Sequence, residues 1–117
     1  EVGMSRFARN IDSSHRLVVV AFRALGCTVE AIQGAKAGLP DLAVGVFGRT
    51  HLVEVKPDTH LKRHQSSEAQ QRFALAWRGG AVPVCRSPDD AAALVLLWRN
   101  EQLLEHRAAQ ALALEVA

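Results

Sequence analysis

The chain has 117 residues, 49% hydrophobic and 22% charged, a length and composition that predict one globular domain, residues 1–117, with a real core. Its formal net charge of +2 permits nucleic-acid binding without requiring it, and an aromatic content of 5% argues against an extended stacking surface for single strands. No apolar run has membrane-spanning length and no signal-peptide pattern is present, so we expect a soluble, cytoplasmic protein without a membrane partner.

The elements predicted in chain order are α-β-β-β-α-β-α, which indicates an α/β fold with a mixed central β-sheet flanked by helices. Residues 1–11 are predicted to be an irregular N-terminal arm, and Asp12-Ser13-Ser14 to cap a helix that Gly26 ends. Residues 27–32 are predicted to form the first strand, and two further apolar runs, around 42–46 and 52–55, to form a hairpin.

The second half of the chain is predicted to supply a helix, a strand and a final helix. Ser67 caps the first of these helices, whose inner face is expected to carry Phe73, Ala76 and Trp77. Residues 81–85 are expected to form a strand parallel to the second hairpin strand, because a helical crossover connects the two.

The final helix is predicted to start at Ser87-Pro88, where a cap residue precedes a proline and two acids. Residues 100–117, divided from this helix at Asn100, are expected to be a helical extension. Its apolar stripe suits either a homodimer interface or packing back onto the sheet. Cys27 and Cys85 lack metal-ligand spacing and are expected to be buried free thiols, with a disulfide as the other interpretation.

Two carboxylates and a lysine lie within the hairpin strands, where an unpaired charge is costly to bury. If Gly48-Arg49 forms a two-residue II′ turn, Asp41 lies opposite Lys56 and diagonal to Glu54. Because side chains alternate along a strand, all three then share the side opposite the valine-rich core face. The pattern predicts a site for a hard cation, Mg²⁺ or Mn²⁺, and the other interpretation is a salt bridge between Lys56 and Asp41.

This hairpin resembles the PD-(D/E)xK nuclease signature, and the surrounding sequence resembles its VRR-NUC branch of phage and bacterial nuclease domains. The resemblance extends from about Ser14 to about Leu96, and the matching segments are Gly38-Leu39-Pro40-Asp41-Leu42, Gly48-Arg49-Thr50, Glu54-Val55-Lys56, Ser67-x-x-Gln70 and Trp77-x-Gly79. It implies a restriction-endonuclease-like fold and a metal-dependent DNA endonuclease of prokaryotic or phage origin. Branched or structured DNA is the candidate substrate, and no small-molecule cofactor is expected.

The resemblance also implies roles for individual residues. Asp41, Glu54 and the Val55 carbonyl would hold the metal, and Lys56 would assist the attacking water. Gln70 would support the site from the next helix, although Ser67-x-x-Gln70 is also an ordinary capping box.

His15 is the main departure from the family pattern, because it falls where family members often carry an acid on the first helix. A histidine can position a water or bind phosphate, but it adds no negative charge. The alternative function is therefore a catalytically weakened DNA-binding module of the same fold. A third possibility is a protein-interaction domain in which the carboxylate-lysine cluster is only a salt bridge.

Basic residues beside the hairpin are candidates for contacts with DNA phosphates. They are Lys36, Lys62, Arg63 and His64. Charge runs are usually solvated, so an exposed loop without a DNA role is the other interpretation. His51 is predicted on the core side of the hairpin and is therefore expected to be structural.

Overall fold

The computed structural model of the chain describes residues 2–57 and 66–116, with side chains described from residue 13 onward. Its elements are α1 (Val2–Ala24), β1 (Thr28–Ala31), β2 (Leu42–Val46), β3 (Arg49–Val55), α2 (Glu68–Ala76), β4 (Val84–Cys85) and α3 (Pro88–Val116). The strands form one sheet in the order β1-β2-β3-β4, antiparallel except for β4, which is parallel to β3. The predicted element order and the mixed sheet are confirmed.

Two helices are longer than predicted. α1 begins at Val2, so residues 2–11 are helical rather than an irregular arm, and Asp12 lies within the helix instead of capping it. Cap residues do not oblige a helix to start, and no proline interrupts the residues before them. α3 continues through Asn100 without a break, because asparagine costs a helix interior only about 0.7 kcal/mol relative to alanine.

The core lies on one face of the sheet, where α1 and α3 pack against each other and α1 contacts β1 and β3. Its buried apolar residues are Val18, Phe22, Cys27, Val29, Leu42, Val44, Val53, Cys85, Ala91 and Trp98. Trp98 joins the layers, because its ring stacks on Phe22 with centroids 5.9 Å apart and on His51 with centroids 3.9 Å apart. Burial lowers the pKa of His51. The structural role expected for His51 is confirmed.

The hairpin turn lies one residue earlier than predicted. Val46 pairs with Arg49, so the two central residues are Phe47 and Gly48, with φ of 54° and 76°. Positive φ at both positions is the type I′ geometry, whose twist matches that of the strands. The register therefore differs by two residues from the predicted one, and a shift of two leaves every side chain on its predicted face.

Two side chains of α3 contact this turn. The Gln102 side-chain amide donates to the Phe47 carbonyl at 2.7 Å, and Arg49 forms a bidentate ion pair with Glu105. These contacts favour the unusual backbone of Phe47, which a bulky residue adopts only at a cost.

α2 is a short helix on the periphery with no buried residue. Phe73 is half-buried while Ala76 and Trp77 are exposed, so the inner face predicted for this helix is wrong beyond Phe73. α2 approaches the loop before β2 closely, since a Cβ on Gly38 would overlap the Ala69 carbonyl and Gly38 has a φ of 84°. Such close contact explains a glycine at that position.

Two further predictions are settled by the fold. Cys27 and Cys85 are buried and free, as expected, and burial raises the pKa of Cys85 to about 11. Across the helices that the structure describes, none combines the length and the hydropathy needed to cross a lipid bilayer.

Candidate active site

Asp41 and Glu54 form an acid pair where β2 begins and β3 ends. Leu42 pairs with Val53, so the next step of the same antiparallel register brings Asp41 opposite Glu54. The predicted pairing of Asp41 with Lys56 is wrong, because it followed from the misplaced turn. Asp41 Oδ2 accepts a hydrogen bond of 2.8 Å from the Val55 amide, which fixes this carboxylate against the end of β3.

Glu54 is the one buried charged residue in the described part of the chain, with a relative exposure of 5%. Its Oε1 has no hydrogen-bond partner there. Burial, and after it the neighbouring Asp41, raise the pKa of Glu54 to about 8 against the opposing effects of Lys56 and Gln70. Lys56 therefore compensates the negative charge of the pair only in part, and either a proton or a bound cation would supply the rest.

Lys56 and Gln70 connect β3 to α2. Lys56 Nζ donates to Gln70 Oε1 at 2.9 Å, and this oxygen also accepts from the Ser67 amide at 2.8 Å. Ser67 Oγ in turn accepts from the Gln70 amide at 3.2 Å, completing the capping box. The capping box predicted for Gln70 is confirmed, and the same side-chain oxygen also contacts Lys56. Across the described residues no ion pair joins Lys56 to Asp41, so the salt-bridge interpretation is wrong.

A cavity of about 360 Å³ opens beside the acid pair, lined by residues from α1, the loop after β1, and the ends of β2 and β3. The lining residues are Ser14, His15, Arg16, Gln33, Asp41, Val55 and Pro57. His15 is half-buried, and its Nε2 is shielded from solvent without a partner among the described residues. His15 on α1 and Asp41 at the start of β2 therefore line the same cavity.

Arg16 and Gln33 were not predicted from the sequence, although both line this cavity. Arg16 directly follows His15 in α1. Gln33 lies just after β1, at the same end of the sheet as Asp41, because the Asp41 carbonyl accepts a hydrogen bond of 2.9 Å from the Ile32 amide. The sequence signal that could have identified Gln33 is its position directly after the predicted first strand, which neighbours the strand that Asp41 begins. Arg16 adds a cation and Gln33 an amide to a cavity whose other wall is acidic.

The oxygen donors at this site suit a hard divalent cation. Two carboxylates, one of them buried with an unpartnered oxygen, lie beside the backbone of Val55. Within residues 13–57 and 66–116 no three His, Cys, Asp or Glu side chains converge, so these residues offer a cation two carboxylates. A site of this kind leaves coordination positions for water and substrate.

Of the four residues predicted to contact DNA, the structure describes Lys36, and it does not line this cavity. Lys36 is exposed and lines a separate cavity together with Arg72 and Phe73. Lys62, Arg63 and His64 lie outside the described residues.

Comparison with known proteins supports the same architecture. No family model matches the sequence, and no curated protein matches it. The structure is similar to the solved structure of a VRR_NUC domain, with 27% sequence identity and a TM-score of 0.60, over 74% of this chain and 94% of that one. The chain therefore has a VRR-NUC-like nuclease fold, with its acid pair at one end of the two central strands, β2 and β3.

Proposed function

We propose that the chain is a divalent-metal-dependent endonuclease that hydrolyses phosphodiester bonds in DNA. The observation that carries the proposal is the buried Glu54 carboxylate next to Asp41, in a chain with a VRR-NUC-like fold. A buried acid with a pKa raised to about 8 destabilises a protein unless a ligand uses it. The arrangement is therefore better explained by cation binding than by fold stability.

Asp41, Glu54 and the carbonyl of Val55 are the groups that would hold Mg²⁺ or Mn²⁺. When bound, such an ion polarises a phosphate oxygen and lowers the pKa of a coordinated water. The hydrogen bond from the Val55 amide to Asp41 Oδ2 supports this proposal, because it restricts the orientation of the carboxylate.

Lys56 and Gln70 would act on the water and the phosphate. Gln70 Oε1 accepts from Lys56 Nζ, which keeps the ammonium beside the acid pair instead of extended into solvent. From there the ammonium orients the attacking water or offsets negative charge that develops on the phosphate. Gln70 is thus a positioning residue in this proposal, and the capping box holds it in turn.

The opposite wall of the cavity would bind the phosphodiester. Arg16 contributes a guanidinium, which matches phosphate geometry, and His15 contributes a ring nitrogen without another partner in the described structure. Lys36, Lys62, Arg63 and His64 remain candidates for contacts with more distant phosphates.

A homodimer acting on branched DNA is the finer form of the proposal. α3 has 29 residues and is therefore about 44 Å long. Its C-terminal half exposes an apolar set, namely Leu103, Leu104, Leu112, Leu114 and Val116. A second copy covering this set would give two active sites related by a two-fold axis, which suits cleavage of both strands of a branched duplex. Sedimentation of the chain as a monomer at micromolar concentration would contradict the dimer.

The test of the nuclease is cleavage of labelled duplex, flap and four-way-junction DNA, with and without Mn²⁺. Asp41→Asn keeps an acceptor for the Val55 amide but removes the charge, so we expect cleavage to fall at least about 100-fold. Glu115→Gln, an exposed change at the end of α3, serves as the control and should cleave normally. Cleavage without any divalent ion, or equal cleavage by Asp41→Asn, would refute the proposal.

His15 favours a second candidate function, the catalytically weakened DNA-binding module. It lines the cavity where an additional acid would strengthen cation binding, and the described residues supply only two carboxylates there. His15→Glu distinguishes the two candidates. If the natural chain is weakened, this substitution should raise both Mn²⁺ affinity and cleavage, whereas in an efficient nuclease it should lower cleavage by removing a phosphate contact.

A further inference from the structure

The helix that carries Gln70 also carries a pair of stacked aromatic rings, of which Phe73 is half-buried and Trp77 is exposed. Phe73 and Trp77 have ring centroids 5.5 Å apart and planes inclined by 16°. Trp77 is 43% exposed, and no residue of α2 is buried. The rings therefore contribute little to the core of the fold, and a large exposed aromatic group beside a functional site is characteristic of binding.

Gly79 explains how the indole is held in place. A Cβ on Gly79 would lie 2.6 Å from Trp77 Nε1 and 2.7 Å from Cε2, so only glycine leaves room for the ring. The Trp77-x-Gly79 motif thus has a physical reason: the chain folds back against its own tryptophan. With Phe73 on one side and Gly79 against it, the indole is ordered before any ligand arrives.

The aromatic pair lies on the same face of α2 as the active-site contact. Gln70, Phe73 and Trp77 are spaced i, i+3 and i+7, which places them along one side of a helix. At 1.5 Å per residue, Trp77 lies roughly 10 Å along the axis from Gln70. That distance corresponds to about three base steps of a DNA strand, at 3.4 Å each.

Cations flank the aromatic pair. Lys36 and Arg72 line a cavity of about 310 Å³ together with Phe73, and Arg78 directly follows Trp77. Arg72 Nη1 is 2.9 Å from Glu68 Oε1 in an exposed pair, which provides the one acidic contact to this cluster among the described residues. Exposed aromatic rings between cations are the combination with which proteins bind single-stranded nucleic acid, and the positive charge disfavours an apolar protein partner.

We propose that the α2 surface, defined as Lys36, Arg72, Phe73 and Trp77, binds an unpaired nucleotide of the DNA substrate. Its base packs against Trp77, and the neighbouring phosphates lie near Lys36 and Arg72. The inference rests on the proposed nuclease function and narrows its substrate class to DNA with a single-stranded segment beside the duplex. One aromatic pair provides one base position, in keeping with the low aromatic content of the chain.

Binding measured in EDTA, where a metal-dependent nuclease does not cleave, tests this surface separately from catalysis. The probes are a labelled blunt duplex and the same duplex with a single-stranded tail, and the readout is fluorescence anisotropy with the full chain. Trp77→Ala should weaken binding of the tailed duplex at least about fivefold, the lower limit for one stacked base, and leave the blunt duplex unchanged.

Two variants serve as matched controls. Trp77→Phe keeps a ring and should retain most of the affinity for the tailed duplex. Leu75→Ala removes an 88% exposed apolar side chain from the same helix and should bind both DNAs like the natural chain.

Gly79→Ala should resemble Trp77→Ala, because the added methyl group displaces the indole.

Equal effects of Trp77→Ala on both DNAs, or no effect on either, would overturn the proposal. A loss of self-association in sedimentation without a change in DNA affinity would also overturn it, since the surface would then bind protein.

If Trp77→Ala does not fold, acrylamide quenching of the natural chain decides the question. Trp77 is accessible and Trp98 is only 6% exposed, so the tailed duplex must protect the fluorescence and the blunt duplex must not. If the α2 surface does not bind an unpaired nucleotide, Mn²⁺-dependent cleavage is still expected. If the nuclease proposal is wrong, none of the DNAs is cleaved.

Discussion

Replacing Glu54 by glutamine should make the metal-free protein more stable at alkaline pH. Glutamine has nearly the same shape as glutamic acid but cannot ionise. In the natural chain, burial and the neighbouring Asp41 raise the pKa of Glu54 to about 8. The native state therefore holds a proton on Glu54 that the unfolded chain releases at a much lower pH.

The sign and size of the effect follow from this difference in pKa. Between pH 4.5 and about 8 the native state binds more protons at Glu54 than the unfolded state, so this group makes stability fall as pH rises through that window. Above pH 8 the loss is complete. The rise from 4.5 to about 8 sets a ceiling of about 5 kcal/mol at 1.36 kcal/mol per pH unit, and relaxation around the site reduces it, so we expect about 2–4 kcal/mol.

Urea unfolding in EDTA at pH 5.5 and pH 9 measures this effect. The free energy of unfolding of Glu54→Gln should exceed that of the natural chain by about 1 kcal/mol at pH 5.5 and by about 2–4 kcal/mol at pH 9. Glu115→Gln, at an exposed position on α3, should show no such pH-dependent difference. The argument that Glu54 is a buried acid with a raised pKa would be refuted if Glu54→Gln changed the free energy of unfolding equally at both pH values.

Three other substitutions test the fold around the site, each by urea unfolding. Gly38→Ala should cost at least about 2 kcal/mol, because the methyl group overlaps the Ala69 carbonyl and the backbone is left-handed; a neutral result would mean that α2 does not lie against this loop. Phe47→Asn should stabilise by about 1 kcal/mol by relieving a φ of 54°, and a loss of stability would contradict the type I′ turn. Trp98→Ala should cost about 3–5 kcal/mol, since the ring stacks on Phe22 and His51; a cost below about 1 kcal/mol would contradict its central place in the core.

The sequence predicted the faces of the hairpin better than its register. In β2 large apolar residues alternate with Ala43 and Gly45, and in β3 Val53 and Val55 flank Glu54, so the face of Glu54 follows from period two alone. The register depended on the turn, and Gly48 is compatible with the first position of a II′ turn or the second of a I′ turn. The sequence carries no signal that Phe47 adopts positive φ. The error was two residues, which changed the partner of Asp41 but not its side of the sheet.

The helix boundaries and the surface of α2 were harder to predict for other reasons. Asp12 and Asn100 are residues that end helices only when the surrounding structure favours it, and here the helices continue through both. Trp77 was predicted on the inner face of α2 together with Phe73 and Ala76, but α2 is nine residues long and buries none of its residues. Arg16 and Gln33 became candidates only when α1 and the loop after β1 were seen to line the cavity.

Calorimetric titration of the natural chain with Mn²⁺ at pH 7 tests the central claim most directly, namely that Asp41 and Glu54 form a cation site. Repeating the titration in buffers of different ionisation enthalpy counts the protons exchanged. With a pKa of about 8, Glu54 is mostly protonated in the free protein, so binding should release about one proton per ion, and Asp41→Asn should abolish binding. Binding that persists unchanged in Asp41→Asn, or the absence of any binding to the natural chain at millimolar Mn²⁺, would contradict it.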